Sequence, residues 1–508
     1  MRYGIASLLG ASVACTALSL TPAVAMERVS GVEQFSDVRP TDWAYQALHQ
    51  LVDRYGCVAG FPDGQFLGQR TISRFEAAAL LNACLDRVSE ITDELRRLIK
   101  QFEAELALIQ GRVDGLEARL GELDATQFST TTTLRGQAYF VANANAFKGS
   151  AGGLRREANR SLGAANVLFD LELELATSFS GKDLLMTKLR TGSFNANNSL
   201  SGVPTSQSAL NIAYASNDAG DPDLSIDKLF YQFPLGSNLS LTAGPNVAQD
   251  DMLGMYPSLY GDDAILNYSA LAGAPLAYNQ NQGAGAAMIW SGDSGFSLTA
   301  SYIAIEGNSS NAQQGGIATS SAGGTGTVQL GYENGPWAAA LVYSGMQNGG
   351  WLAPYGTPLL TDSLQNNSGF THAFGVGGSW QPDDSGWIPS ISAGWGINST
   401  TYDPEVKRDG LVETSQSWTV ALQWDDAFLQ GNKAGMAVGQ PVFATSLYGG
   451  DTPTDGNYVW EWWYQVQLTD NISVTPALFY LSRQLGQETP NAGSFQQLGG
   501  LMMTSFSF

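Results

Sequence analysis

The sequence predicts an all-β barrel that crosses a membrane, preceded by a small α-helical domain and a coiled-coil helix. Three observations predict it. The 508 residues include 58 Gly, 12 Trp, 19 Tyr and 22 Phe, yet only 14 % are charged, a turn-rich and aromatic-rich mixture that suits a large antiparallel sheet. A mean hydropathy of −0.09 excludes a bundle of membrane helices. The chain also opens on an export signal. Its 25 Lys+Arg against 47 Asp+Glu give a formal charge of −22, which argues against nucleic acid or an anionic membrane surface as partner, because both select basic patches.

Residues 1–25 read as the signal peptide. Arg2 precedes an apolar stretch from Ile5 to Leu20, and Ala23-Val24-Ala25 forms a small-x-small cleavage site before Met26. The stretch is short for the ~20 residues of a spanning helix. Cys15 falls inside it, so Cys57 and Cys84 remain after cleavage. An even number of cysteines in an exported chain suggests a disulfide, worth about 3 kcal/mol in the chain-entropy model; two buried free thiols are the alternative.

Residues 30–88 form a small module. Phe35-Ser36-Asp37-Val38 leads to Asp42-Trp43-Ala44, and Ala47, Leu48 and Leu51 follow at helical spacing. Gly60-Phe61-Pro62-Asp63-Gly64 is a turn, and Ser73 with Glu76 has capping-box spacing before an apolar helix through Leu80 and Leu81. The run resembles the S-layer homology domain, with Ser73 where that domain has Thr. The resemblance implies binding of a peptidoglycan-linked polysaccharide by Trp43, Asp63, Gly64 and Arg74. A guanidinium facing an acidic glycan substituent is sound chemistry; a purely structural role for Trp43 and Arg74 is the alternative. The chain carries one copy, so three binding units require separate chains.

Residues 89–125 supply a way to join them. Val88, Ile91, Leu95, Leu98, Phe102, Leu106, Ile109, Val113, Leu116, Leu120 and Leu123 are spaced by threes and fours, a coiled-coil seam with one stutter at Phe102–Leu106. A rod of this length, about 54 Å at 1.5 Å per residue, outreaches the module before it. The seam therefore predicts pairing between chains, as a dimer or a trimer.

Residues 126–508 hold most of the glycine and nearly all the tryptophan, with 13 basic against 30 acidic residues. Alternation is clearest over Val167-Leu168-Phe169-Asp170-Leu171-Glu172-Leu173-Glu174-Leu175, which sends apolar residues to one face of a strand and carboxylates to the other. A soluble sandwich and a membrane barrel both satisfy that pattern. Three features favour the barrel. Alternating runs recur after tight turns at Asn334-Gly335-Pro336, Asp384-Ser385-Gly386 and Thr469-Asp470-Asn471. Aromatics gather at strand ends: Trp290 and Phe296, Trp380 and Trp387, Trp418 and Trp424, and Trp460, Trp462, Trp463 and Tyr464, as at a bilayer interface. The strand ending at Phe508 resembles the assembly signal of bacterial porins, which implies the barrel-assembly machinery as a partner and outer-membrane lipid as surroundings.

The whole order of segments resembles the major outer-membrane porins of cyanobacteria, whose barrels belong to the carbohydrate-selective porin group. Phe179-Ser180-Gly181-Lys182-Asp183-Leu184-Leu185 with Thr187 and Leu189 is similar to that group's strand-pair signature, and Leu229–Gly236 to its next strands. The resemblance, rather than the coiled-coil seam, implies a homotrimer in preference to a dimer. The resemblance implies about 16 antiparallel strands and an outer-membrane location with the N-terminal domain in the periplasm. It also implies passive diffusion of small hydrophilic solutes and inorganic ions, iron among them. Sugar selectivity, or a structural tether with little conductance, are the alternatives.

Porins narrow their lumen with an infolded loop, and the long aperiodic stretch Gly244–Gly285 is the candidate. Asp250, Asp251, Asp262 and Asp263 in it, with Asp170, Glu172 and Glu174 on a strand, are candidates for lining the path. Lys182, Lys188, Arg190 and Lys228 are the basic candidates. A ring of carboxylates would favour cations. Tyr256, Tyr260, Tyr268 and Tyr278 offer stacking faces to sugars, although all these residues would see no permeant on outer loops. Lys148, Arg155, Arg156 and Arg160 read as a lipid-facing or loop patch rather than a ligand site. Nothing points to an enzyme, a cofactor or a metal site: Gly292-Asp293-Ser294-Gly295 is explained by a hairpin turn, and Asp221-x-Asp223-x-Ser225-x-Asp227 has Ile226 where a calcium loop requires Gly.

Overall fold

Period-2 alternation through the glycine-rich zone becomes sixteen antiparallel strands that close on themselves, β1 pairing with β16. The computed structural model describes residues 99–100, 131–215, 222–348, 355–383, 386–490 and 493–508. The export signal, the module with Trp43, Asp63, Gly64 and Arg74, the Cys57 and Cys84 pair and nearly all of the coiled coil lie outside the described residues. The chain divides into two units, one spanning Val13–Phe128 and the other holding Ser129–Phe508; the barrel belongs to the second.

The first eight strands are β1 Thr132–Lys148, β2 Asn166–Thr177, β3 Leu184–Gly192, β4 Ser225–Leu235, β5 Leu239–Ala248, β6 Gln282–Ser291, β7 Phe296–Ala304 and β8 Gly324–Asn334. The second eight are β9 Trp337–Gln347, β10 Gly369–Trp380, β11 Ser390–Tyr402, β12 Val412–Asp425, β13 Lys433–Leu447, β14 Tyr458–Thr469, β15 Ile472–Ser482 and β16 Gln496–Ser507. Each strand pairs with its sequence neighbours, and the closing ladder runs from Gln137↔Ser507 to Lys148↔Gln496. A closed sheet has no edge of unpaired backbone groups, the condition for a sheet to sit in hydrocarbon. Among the described residues no helix is long and apolar enough to cross a membrane.

The two faces are inverted relative to a water-soluble sandwich. On β8, Val328 and Leu330 are exposed while Thr327 and Gln329 are buried. On β10, Phe374 and Val376 point out and Ala373 points in. Exposed Leu341, Leu478 and Met502 continue the apolar surface round the wall. An apolar surface on nearly every strand is far larger than the patches of a soluble monomer; lipid is the solvent that makes it stable.

Aromatic pairs mark both rims of this surface. Trp337 lies 6.1 Å from Trp380, Phe296 4.6 Å from Tyr332, and Phe428 packs on Trp387 and Tyr464 at one rim. Tyr458, Trp460 and Tyr480 form a chain of contacts at the other. Trp463 departs from the expected belt. Period 2 sends adjacent residues to opposite faces, so Trp462 is exposed and Trp463 is buried inside, its Nε1 donating to Tyr260 Oη at 2.7 Å.

Connections also differ between the rims. On the side where β1 begins, tight turns dominate: Gly335-Pro336 joins β8 to β9, Asp470-Asn471 joins β14 to β15, and Gly292 N donates to Phe296 O at 2.8 Å between β6 and β7. On the other side lie long loops, among them L1 (149–165), L2 (193–224), L3 (249–281), L5 (348–368) and L8 (483–495). L1 carries helix α1, Gly152–Leu162, with Arg155, Arg156 and Arg160 exposed. The strand ladder extends into both ends of the stretch expected to fold in, so the inserted segment is L3 rather than all of Gly244–Gly285.

Candidate functional site: the lumen and its inserted loops

The inner wall of β1 to β4 carries a ladder of opposite charges. Strand pairing sets Glu172 opposite Arg190 and Glu174 opposite Lys188, and residues directly opposite share a face. Arg190 clamps Asp170 through Nε at 2.9 Å and Nη2 at 2.7 Å, and Nη2 also lies 2.8 Å from Glu172. Lys188 pairs with Glu172 and lies 3.3 Å from Glu174. Arg135 of β1 stands opposite Glu174. On β4, Lys228 Nζ lies 2.5 Å from Asp251 Oδ1, and Ala248 N donates to Asp251 Oδ2.

These pairs revise the expected ring of carboxylates. Asp170, Glu172, Lys188, Arg190, Lys228, Asp250 and Asp251 are all buried; each of these cations faces a carboxylate, and Asp250 stands beside the Lys228–Asp251 pair. Buried charges persist only when paired in this way. Lys182 is not on the lumen wall; it is exposed in the turn between β2 and β3.

Two loops fill the space above this ladder. L3 follows the inner wall through bonds to successive strands. Gln249 Nε2 donates to Thr327 Oγ1 of β8, Ser344 Oγ of β9 donates to Ala277 O, and Gln329 Nε2 donates to Tyr278 Oη. Farther on, Ser417 Oγ donates to Gly273 O, and Tyr268 Oη donates to Trp418 O. The loop reaches β14, where Glu461 accepts from Tyr260 Oη at 2.8 Å and from the backbone N–H of Ile265 and Leu266. Tyr260, Tyr268 and Tyr278 are therefore fully buried anchors of the loop, not stacking faces for sugars.

L2 also enters the barrel, which the sequence reading missed. Arg190 holds it through Ile212 O at 3.1 Å and through Tyr214, whose ring centre lies 4.6 Å from the guanidinium. Gln207 Nε2 donates to Gly356 O of L5 and Gln484 O of L8. L2 and L3 then pair across the lumen through a Leu210↔Leu266 bridge: Asn211 N donates to Ile265 O and Asn267 N to Ala209 O. The one available signal was the length and aperiodicity of L2, which match those of L3.

A cavity of about 270 Å³ remains between this loop pair and the wall of β14, β15, β16 and β1. Its lining is mostly amide and hydroxyl: Gln137, Asn211, Gln465, Gln467, Ser473, Thr475 and Ser505 contribute, with Leu501 and Met503 between them. Asp262 and Asp263 are its charged residues. Asp263 accepts from Lys433 Nζ at 2.7 Å and from Gln423 Nε2 at 2.9 Å. Among the described residues no group of His, Cys, Asp and Glu is arranged to hold a metal ion.

A closed barrel, apolar outside, polar within and narrowed by loops from one rim, defines an outer-membrane porin. Residues 92–495 match the model of the carbohydrate-selective porin, OprB family, and the chain belongs to that family. Residues 34–78 match the S-layer homology domain. An uncharacterized protein of Nostoc sp. is 33 % identical over 528 residues, covering 95 % of this chain and 86 % of its own. Outer membrane protein SlpA of Thermus thermophilus is 32 % identical over 104 residues, 17 % of this chain and 11 % of its own. The structure of Pseudomonas putida OprB, 12 % identical, covers 76 % of this chain and 96 % of that one, with a TM-score of 0.49. The chain is an outer-membrane protein with its S-layer homology domain in the periplasm.

Proposed function

We propose that the barrel lets small hydrophilic solutes, sugars and inorganic ions including iron, diffuse passively across the outer membrane. The observation that carries this reading is the polar, mainly uncharged lining of the cavity left between the L2–L3 pair and the wall. Amides and hydroxyls replace the hydrogen bonds a solute gives up with its hydration shell, while no single strong contact holds it there. The charge ladder under L2 serves as the dock of that loop, and Lys188, Arg190, Asp170 and Glu172 act on permeants only through it.

The same chain fastens the membrane to the wall. Trp43, Asp63, Gly64 and Arg74 hold a peptidoglycan-linked polysaccharide, and the coiled coil gathers three chains. A second reading, a tether with a plugged barrel, is favoured by the apolar packing of L2 on L3. One measurement separates the two. Purified protein in planar bilayers gives stepwise current increments if the cavity conducts; a correctly folded sample that inserts and yields no steps leaves only the tether.

A further inference from the structure

We propose that Asp262 sets the charge preference of this pore, drawing inorganic cations ahead of anions through the space beneath the constriction. The proposal rests on the reading of the lumen as a water-filled passage and names the residue that discriminates in it.

The argument is one of charge balance. On the β1–β3 wall Asp170, Glu172 and Glu174 are held in ion pairs by Lys188 and Arg190, and Arg135 stands opposite Glu174 in the strand register. Lys228 meets Asp251. Both carboxylate oxygens of Asp250 are buried, as is Glu461 beneath L3. Of the charged residues that line the cavity, Asp263 is bound by Lys433 and Gln423. Asp262 is exposed, lines the same cavity and has no ion pair among the described residues. It sits on L3 within three residues of the strand-like contact that L3 makes with L2, so a solute passing the loop pair passes this carboxylate. A fixed unit charge acts over ~8 Å at physiological salt, which spans a passage of this size. The amides and hydroxyls that line the rest of the cavity carry no charge, and Lys433, the cation that also feels Asp262, is already held by Asp263 at 2.7 Å.

The test uses the full-length protein in planar bilayers under a potassium chloride gradient. Wild type gives a reversal potential of cation-selective sign. Asp262→Asn keeps its current steps but lowers the potassium-to-chloride permeability ratio by about threefold or more, and Asp262→Lys inverts the preference. Asp293→Asn, in the exposed turn between β6 and β7, leaves the ratio as in wild type. High salt, at which the screening length falls to about 3 Å, reduces the wild-type preference toward that of Asp262→Asn. Current steps with an unchanged ratio in both Asp262 variants overturn the proposal while the pore reading stands. Wild-type protein that inserts and gives no steps overturns both.

Discussion

Asp183 shows how much one side chain can organise. It closes the turn between β2 and β3 by accepting from Ser178 Oγ, Ser180 Oγ, Ser180 N and Phe179 N through Oδ1, and from Tyr231 Oη on β4 through Oδ2. These donors, the Ser180 hydroxyl first, hold its carboxyl well below the usual carboxylate range. A depressed value means stability that is present above the ordinary range and is lost as pH falls through the folded value. We expect Asp183→Asn to unfold at lower denaturant than wild type at neutral pH, with the gap closing as the medium is acidified. Tryptophan fluorescence during urea unfolding in lipid vesicles measures this. Sequence exposed Asp183 as part of a strand-pair signature, but the donors from a third strand depend on register and were not visible in it.

Among the elements, the inner faces of β10 and β11 form a groove for L3. A Cβ added at Gly394 would lie 1.9 Å from Ala272 O, and one added at Gly273 would lie 2.1 Å from Gly394 O. Only glycine permits that approach of two backbones. Gly394→Val therefore pushes L3 away from this wall toward the cavity beside β14 to β16, and we expect lower single-channel conductance at an overpacking cost of about 1–3 kcal/mol. Unchanged conductance in a heat-modifiable, folded variant would count against the groove. The infolding of L3 was legible from its length and lack of period. The companion role of L2 was not, because its anchors at Gly356 and Gln484 belong to loops far away in sequence. The acid stripe of β2 faces the barrel interior, and Lys188 and Arg190 opposite it turn a candidate ring of carboxylates into a ladder of ion pairs.

For the whole molecule, the fold was the most legible level, since a period of two, tight turns and aromatic ends all follow from a sheet facing lipid. What sequence cannot supply is how opposite sides of the barrel meet across the lumen. The proposed pore and the proposed wall anchor make separable claims. Arg74→Ala is expected to weaken co-sedimentation of the protein with peptidoglycan sacculi, by roughly the loss of one charge-assisted contact per chain, without altering bilayer current steps. Loss of both at once would tie the two functions together and argue against independent units.

Closure of β1 on β16 carries a consequence for biogenesis. The ladder joining them links residues more than 340 positions apart, and Gly136 and Phe508 exchange backbone hydrogen bonds at 2.7 and 3.0 Å. No intermediate lacking either strand can seal its seam, so the polypeptide must travel unsealed and be kept from self-association until both strands arrive. Translation and export therefore finish before the wall does, and a transcript cut short upstream of Gln496 yields an open ribbon that quality-control proteases would recognise by its two raw margins.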